Sequence, residues 1–542
     1  MAIGTGGDAL VAGLRAHGID TIFGLPGAQT YGLFDAIHRS DIQLIGARHE
    51  QACGYMAFGY ARATGRPSAF TVVPGPGVLN AGAAALTAFG CNEKVLCLTG
   101  QVPSAFLDGG SGHLHEMPNQ LLTLRTIYKH ATRVESPGEA ALSVALAFQA
   151  MSAGRPGPAA IEMPWDIFTQ TAELGLPLVL PPLPPPPVDT DRVQEAARLI
   201  AAGRAPMIFV GGGAVGAADE ILSLAERLQA PVVAFRSGRG IVSNAHELGL
   251  TIAEAHALWP DTDMVIGIGT RLEVPRWRWS NRPGGQKTVR IDIDPAEMRR
   301  SPPDVGVVAD ARAATLALIG ALEREQSAAR DRLPAIRRAR EITAHQIRDI
   351  QPQFSYLETL RRALPAESIV TDELSQVGFA SWYAFPVYRS RTFISSGYQG
   401  NLGSGFPSAL GAKVAYPSRP VVAICGDGGF MFGVQELATA AQYGINVIIL
   451  LFNNNAYANV LRDQTTGFGG RVTGAILKNP DFVKLAQAFD IPAERVRTPE
   501  QLGKVLELAL GSNRPWLIEI KVDTSAEANP WRFIQPSRSP AP

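Results

Sequence analysis

Three α/β domains in series, each a doubly wound parallel sheet, is the architecture this sequence predicts. At 542 residues the chain exceeds what one core supports. Strand-like apolar runs alternate with helical patterns from end to end, the signature of parallel sheets covered on both faces. Two punctuating stretches divide that alternation into three blocks. The first block, residues 1–172, carries the runs TIFGLPG, IQLIGA, SAFTVVPGPG, KVLCLTGQ and PAAIEMP between helical patterns. LPLVLPPLPPPPVD (176–189) follows, and its seven prolines favour an extended, semi-rigid spacer. The second block, 190–322, runs helix, APMIFVGGGAVG, helix, PVVAF, DMVIGIGTR and VRIDIDP. A charged helical stretch, ALEREQSAARDRLPAIRRAREITAHQIRDI, leads into the third block, 352–530, which ends on the strand WLIEIKV.

Composition narrows the function classes. Lys+Arg and Asp+Glu both total 49, so the formal charge is zero. No dense basic run appears, and neither nucleic acid nor an anionic membrane surface is an expected partner. The apolar stretches are strand-length, short of the ~18 residues a membrane helix needs. The N-terminus lacks a basic segment followed by an apolar one, so a cytoplasmic setting is expected. The four cysteines, Cys53, Cys91, Cys97 and Cys425, form no C-x-x-C pair and read as reduced thiols, three of them in strongly apolar segments.

The chemistry concentrates between residues 426 and 457. Gly426-Asp427-Gly428-Gly429 ends the run VVAIC, and Asn453-Asn454 ends INVIILLF, with a helical pattern between them. A right-handed strand–helix–strand crossover puts both turns at the same carboxyl edge of one sheet. There the Asp427 carboxylate and an Asn454 carboxamide oxygen form a hard donor set of the kind Mg²⁺ takes. The glycines let backbone N–H groups approach a phosphate. Gly-Asp-Gly followed by Asn-Asn at this spacing resembles the signature of thiamine diphosphate enzymes. The resemblance implies Asp427, Asn454 and the Ala456 carbonyl as metal ligands, with Tyr457 beside the cofactor. The three-domain series is similar to the family's decarboxylases and carboligases, whose domains are pyrimidine-binding, central and diphosphate-binding.

Glu50 follows IQLIGAR and opens the helical string EQACGYMAFGYARATG. That string resembles the family's glutamate region, which implies Glu50 as the acid hydrogen-bonded to the aminopyrimidine ring that promotes loss of thiamine's C2 proton. General acid–base work of this kind suits a carboxyl held out of water. In GYQGNLGSGFPSALGA (397–412), Leu402 takes the position of the family's apolar wedge between the two cofactor rings. Pro26 and Gly27, and the turn Pro74–Gly77 with Pro76 and then Asn80, are expected to face the aminopyrimidine. Ser375, Gln376, Gly428 and Gly429 are expected at the diphosphate. Because the family binds its cofactor between the first domain of one subunit and the third of another, the resemblance implies a homodimer or homotetramer.

In the second block, Gly211–Gly216 satisfies G-x-G-x-x-G after a strand. A nicotinamide site wants an acid ending the next strand, but PVVAF ends in Arg236, which argues against a nucleotide-dependent oxidoreductase. Acetolactate synthase-like and pyruvate oxidase-like members of the family hold FAD here. This chain keeps Gly269-Thr270-Arg271 and RIDIDP. It reads TIAEAHAL in place of the synthase Gly-Met-His-Gly loop, so the reading goes against a bound flavin. Arg276-Trp277-Arg278-Trp279 reads either as a stacking platform or as a surface loop.

LTGQVP, YKH and RIDIDP are similar to the acetolactate synthase-like group, yet the substrate-facing positions depart from it. Leu114-His115-Glu116 stands where the group has Phe-Gln-Glu, and Asp463 falls near its acceptor-selecting tryptophan. His113 and His115 sit where simple 2-oxo acid decarboxylases, including benzoylformate decarboxylase-like members, carry histidines that relay a proton. Gln101 is a candidate to position a substrate carboxylate. The expected activity is therefore C–C bond cleavage or formation on a 2-oxo acid or acyloin, with or without an aldehyde. The alternative is a noncatalytic, cofactor-binding regulatory subunit. The C-terminal SAEANPWRFIQPSRSPAP reads as a lid or as disordered chain.

Overall fold

β-branched runs too short for helices and bounded by glycine-rich turns do pair into parallel sheets. The computed structural model describes residues 2–279 and 282–536. It contains three six-stranded sheets and a small two-stranded one. In order across the first sheet run Gln43–Gly46, Thr21–Gly24, Ser68–Val72, Val95–Gln101, Ala159–Pro164 and His130–Arg133, all parallel. The third sheet runs Phe393–Ile394, Ile369–Thr371, Val421–Gly426, Ile448–Asn453, Trp516–Lys521 and Ala493–Val496. Numbered within each domain, both orders read 2-1-3-4-6-5. The middle sheet runs 3-2-1-4-5-6, from Gly249–Leu250 through Val232–Ala234, Pro206–Val210, Met264–Ile268 and Lys287–Asp292 to Val305–Val308.

In the two matching sheets the order reverses between strands 1 and 3, and ligand crevices of doubly wound sheets open there. The first crevice is flanked by Pro26-Gly27 after Thr21–Gly24 and by Pro74–Gly77 after Ser68–Val72. The second is flanked by Glu373–Gln376 after Ile369–Thr371 and by Gly426–Gly429 after Val421–Gly426. The pattern therefore delivers the predicted residues to the two places where this topology binds ligands.

The first and third domains meet through helices Glu50–Thr64 and Gly405–Ala415. Their backbones nearly touch: a Cβ on Gly59 would lie 2.0 Å from the Ser408 carbonyl oxygen, and one on Gly411 would lie 1.8 Å from that of Met56. One apolar core lies along this contact, and the middle domain shares a second core with the outer face of the third.

The prolines keep 175–189 free of helix and strand, and the Gln149 amide donates to the Pro181 carbonyl. Within the charged stretch the helix is Leu333–Ile347; residues 323–332 are irregular and follow the end of helix Ala311–Leu322. Pro334 sits in the first turn of Leu333–Ile347, where its missing N–H costs nothing. Ala2–Thr5 and Thr171–Leu174 form an antiparallel pair absent from the predicted elements. Among the described residues no helix is long and apolar enough to cross a membrane. All four cysteines are free and buried.

Candidate active site

In the third domain the register pairs Gly426 with Phe452, so Asp427 and Asn453-Asn454 leave adjoining strands side by side. Asn479, from the loop before helix Phe482–Gln487, knits these turns together. Its Nδ2 donates to Asp427 Oδ2 at 2.6 Å, to Asn453 Oδ1 at 3.1 Å and to Asn455 Oδ1 at 3.3 Å. Asn454 Nδ2 donates to Glu527 Oε2 at 2.7 Å, while its Oδ1 accepts the Ala456 N–H at 3.2 Å. Ala456 is held by an antiparallel bridge to Ile476. The Asp427 carboxylate and the Asn454 carboxamide stand at one sheet edge, with Ala456 two residues further on, and donors of this chemistry suit a hard divalent cation. Burial raises the Asp427 carboxyl above its usual range, with the Asn479 hydrogen bond opposing. Burial likewise pushes Glu527 to about 7.

The turn that would cradle a diphosphate is closely packed from below. A Cβ on Gly428 would lie 2.4 Å from the Tyr457 ring, and one on Gly429 would lie 2.4 Å from the Glu373 carboxyl carbon. Glu373 is buried, and its Oε1 accepts the Gly403 N–H at 2.5 Å. Its Oε2 has no partner. Burial pushes Glu373 to about 8, with the Gly403 hydrogen bond opposing. This one side chain therefore ties the Leu402 turn to the Gly-Asp-Gly turn. Leu402 itself is half-buried just before Gly403, whose φ of +79° requires glycine. Ser375 caps helix Gln376–Ala384 through the Gly378 N–H and stands against Gly426. Gln376 is buried and accepts from Arg462 Nη1 at 3.2 Å.

In the first domain Glu50 is the first residue of its helix, after the cap His49. Asn80 Nδ2, one turn into helix Pro76–Cys91, donates to Glu50 Oε2 at 3.0 Å. Two residues earlier, the Arg48 N–H donates to both oxygens of buried Glu436, at 3.1 and 3.2 Å, which anchors the approach to Glu50 on the third domain. Gly75 has φ +59°, its N–H donates to Gln120 Oε1 at 2.7 Å, and a Cβ there would lie 2.5 Å from the His115 carbonyl oxygen. The predicted Pro74–Gly77 turn and the His115 loop are thus in direct contact. Gly27 caps the short turn Ala28–Thr30 and packs on Val73, and Pro26 precedes it on the same crevice edge.

The two histidines separate. His115 Nδ1 lies 2.9 Å from Gln29 Oε1, and Gln29 Nε2 donates to the Leu114 carbonyl at 2.6 Å. His113 instead packs on the Phe106 ring, centroids 4.1 Å apart. Gln101 is buried at the strand end, and its Oε1 accepts the Val102 N–H at 2.8 Å. Gln29, Gln120, Glu373, Glu436 and Glu527 were not singled out by the sequence. Each is an isolated polar residue whose partners lie far along the chain; only Glu373, an acid at the end of an apolar run in IVTDELSQ, carried a local signal.

A cavity of about 400 Å³ lies between the middle and first domains, lined by Gly212, Gly213, Gly269-Thr270-Arg271 and Asp292 on one side and by Arg62, Asn92 and Arg155 on the other. TIAEAHAL is helix Ile252–Leu258, closed by a Thr251/Glu254 capping box. Arg236 adopts φ +48° in an ion pair with Glu273. In the Arg-Trp-Arg-Trp string Trp279 is core, packed on Phe209 and Trp259, while Trp277 is exposed.

The tail through Pro536 docks on the third domain, and Ser537–Pro542 lie outside the described residues. Ala528 bonds to Gln351 and Gln353, and Trp531 Nε1 donates to Asn459 Oδ1 at 2.6 Å.

Residues 4–123, 193–318 and 374–520 match the N-terminal TPP-binding, central and C-terminal TPP-binding domains of thiamine pyrophosphate enzymes. A probable acetolactate synthase large subunit of Methanocaldococcus jannaschii is 33% identical, over 97% of this chain and 93% of its own. A probable 2-ketoarginine decarboxylase of Pseudomonas aeruginosa is 32% identical over 95% and 94%. The acetolactate synthase large subunit of Haemophilus influenzae is 30% identical over 98% and 96%. The chain belongs to the thiamine diphosphate-dependent decarboxylase and carboligase family, in its acetolactate synthase-like branch.

Proposed function

We propose that this protein cleaves or forms the C–C bond next to the carbonyl of a 2-oxo acid or acyloin, using thiamine diphosphate and Mg²⁺ between two subunits of a homodimer or homotetramer. The observation that carries the reading is the Glu50 carboxyl, fixed on one oxygen by Asn80 at a crevice edge. Asp427, Asn454 and the Ala456 carbonyl would hold the cation. Ser375, Gln376, Gly426, Gly428 and Gly429 border the diphosphate, and Leu402, Pro26, Gly27 and Pro76 border the rings. Tyr457 backs the Gly428 turn.

Thiamine diphosphate, when bound, would stabilise negative charge at the substrate's carbonyl carbon. The protein supplies protons and position. With Oε2 taken by Asn80, Glu50 Oε1 is the oxygen that exchanges a proton with the aminopyrimidine. Gln29 donates its amide N–H to a carbonyl, so its oxygen faces His115 and accepts from Nδ1–H. The remaining ring nitrogen, Nε2, is then the atom that takes or returns the proton of the bound aldehyde or acceptor. His113, tilted against the Phe106 ring, shapes the loop, and the Gln101 side-chain oxygen is held by the Val102 N–H. The departures at Leu114–Glu116 and Asp463 support a donor and acceptor pair other than that of acetolactate synthesis. A cytoplasmic setting suits four buried, unpaired thiols.

The test is product analysis with thiamine diphosphate and Mg²⁺ across 2-oxo acids and acyloins, with and without aldehydes. Stoichiometric CO₂ with free aldehyde identifies a decarboxylase, and a new 2-hydroxy ketone identifies a carboligase. Tight cofactor binding with no product from any donor contradicts the proposal and favours a noncatalytic subunit.

A further inference from the structure

Glu527 lies outside every motif that the family signature names, on the segment after the last strand. Its backbone is fixed from both sides. Asp523 caps the turn Thr524–Ala526, with the Ala526 N–H donating to the Asp523 carbonyl at 3.0 Å. Ala528 donates to the Gln351 carbonyl and accepts from Gln353 Nε2, each at 2.8 Å. Asn529 caps the next turn, Pro530–Phe533, and Trp531 bonds to Asn459. The Glu527 carboxylate is therefore delivered to Asn454 by an ordered segment.

A carboxamide has two ends of nearly equal size, and only its oxygen can ligate a cation. Asn454 must be kept from turning its NH₂ toward the metal. A backbone N–H can only donate, so the end of Asn454 facing Ala456 N is its oxygen and the end facing Glu527 Oε2 at 2.7 Å is its NH₂. That contact leaves Oδ1 on the opposite side, where it accepts the Ala456 N–H. Ala456 is the residue whose carbonyl completes the donor set.

We propose that Glu527 is a positioning residue of the cation site, which locks the Asn454 carboxamide with its oxygen toward the metal and makes the C-terminal segment part of cofactor binding. The inference rests on the reading that Asp427 and Asn454 hold the cation. Partners of metal ligands commonly change metal affinity tenfold to a hundredfold when removed.

The experiment measures thiamine diphosphate binding by tryptophan fluorescence as Mg²⁺ is varied, in wild type, Glu527→Ala, Glu527→Gln and Asp427→Asn, with thermal midpoints recorded alongside. Glu527→Ala is expected to raise the half-saturating Mg²⁺ concentration by about 10- to 100-fold. Glu527→Gln keeps an acceptor oxygen and is expected within about threefold of wild type. Wild-type affinity in Glu527→Ala, beside a Mg²⁺-dependent wild type and a defective Asp427→Asn, overturns the inference alone. Equal weakening in both Glu527 variants also overturns it, because charge rather than orientation would then be at work. Binding that ignores Mg²⁺ in wild type overturns the cation reading and this inference with it.

Discussion

Glu373 shows how a single side chain organises two functional turns at an energetic cost. Its Oε1 holds the Gly403 N–H, and its carboxyl fills the space a Cβ on Gly429 would need. Burial raises its folded pKa from an ordinary 4.5 to about 8. Below about pH 4.5 the carboxyl is protonated folded and unfolded, and it does not affect stability. As pH rises toward 8 the unfolded chain ionises first, so this group progressively destabilises the cofactor-free fold. Urea denaturation at pH 5 and pH 8 should show a smaller loss of stability with rising pH in Glu373→Gln than in wild type. Equal losses would contradict the assignment. Gly429→Ala should cost about 1–3 kcal/mol by overpacking and weaken cofactor binding, read from the urea midpoint and a thiamine diphosphate titration.

At the scale of elements, the crossing of helices Glu50–Thr64 and Gly405–Ala415 is the joint on which the site rests. It permits only hydrogen at Gly59 and Gly411, where a methyl group would meet carbonyl oxygens within 2.0 Å. Gly59→Ala or Gly411→Ala should destabilise by about 3 kcal/mol or more, because backbone rather than a flexible side chain must move. A drop of several degrees in thermal midpoint checks this, and an unchanged midpoint would refute it. This joint also explains what could be read from the sequence. The Gly-Asp-Gly and Asn-Asn turns, the strands around them and the helix opened by Glu50 were legible because their chemistry is local: apolar runs, turn residues and a carboxylate at a strand end. The two-residue edge strands Gly249–Leu250 and Phe393–Ile394 were not, because two residues carry no period. Glu436 and Glu527 were hidden for another reason. Glu436 meets Arg48 across 388 positions and Glu527 meets Asn454 across 73, and such pairings exist only in the fold.

For the whole molecule, the repeated 2-1-3-4-6-5 order places two equivalent crevices in each chain, one beside Glu50 and one beside Asp427. Large apolar side chains stand exposed beside them: Leu79 next to Asn80, Leu114 next to His115, and Met431 and Phe432 after the Gly-Asp-Gly turn. Those faces call for a second copy, and sedimentation should find two or four chains per particle even without cofactor. A monomer that binds thiamine diphosphate and turns over would contradict the shared-site arrangement. The role of Glu50 is tested by turnover and thiamine diphosphate affinity measured side by side in Glu50→Gln. Turnover should fall by about 10²- to 10⁴-fold with affinity nearly kept, as removal of a general acid–base group gives. Turnover at the wild-type rate would contradict that role.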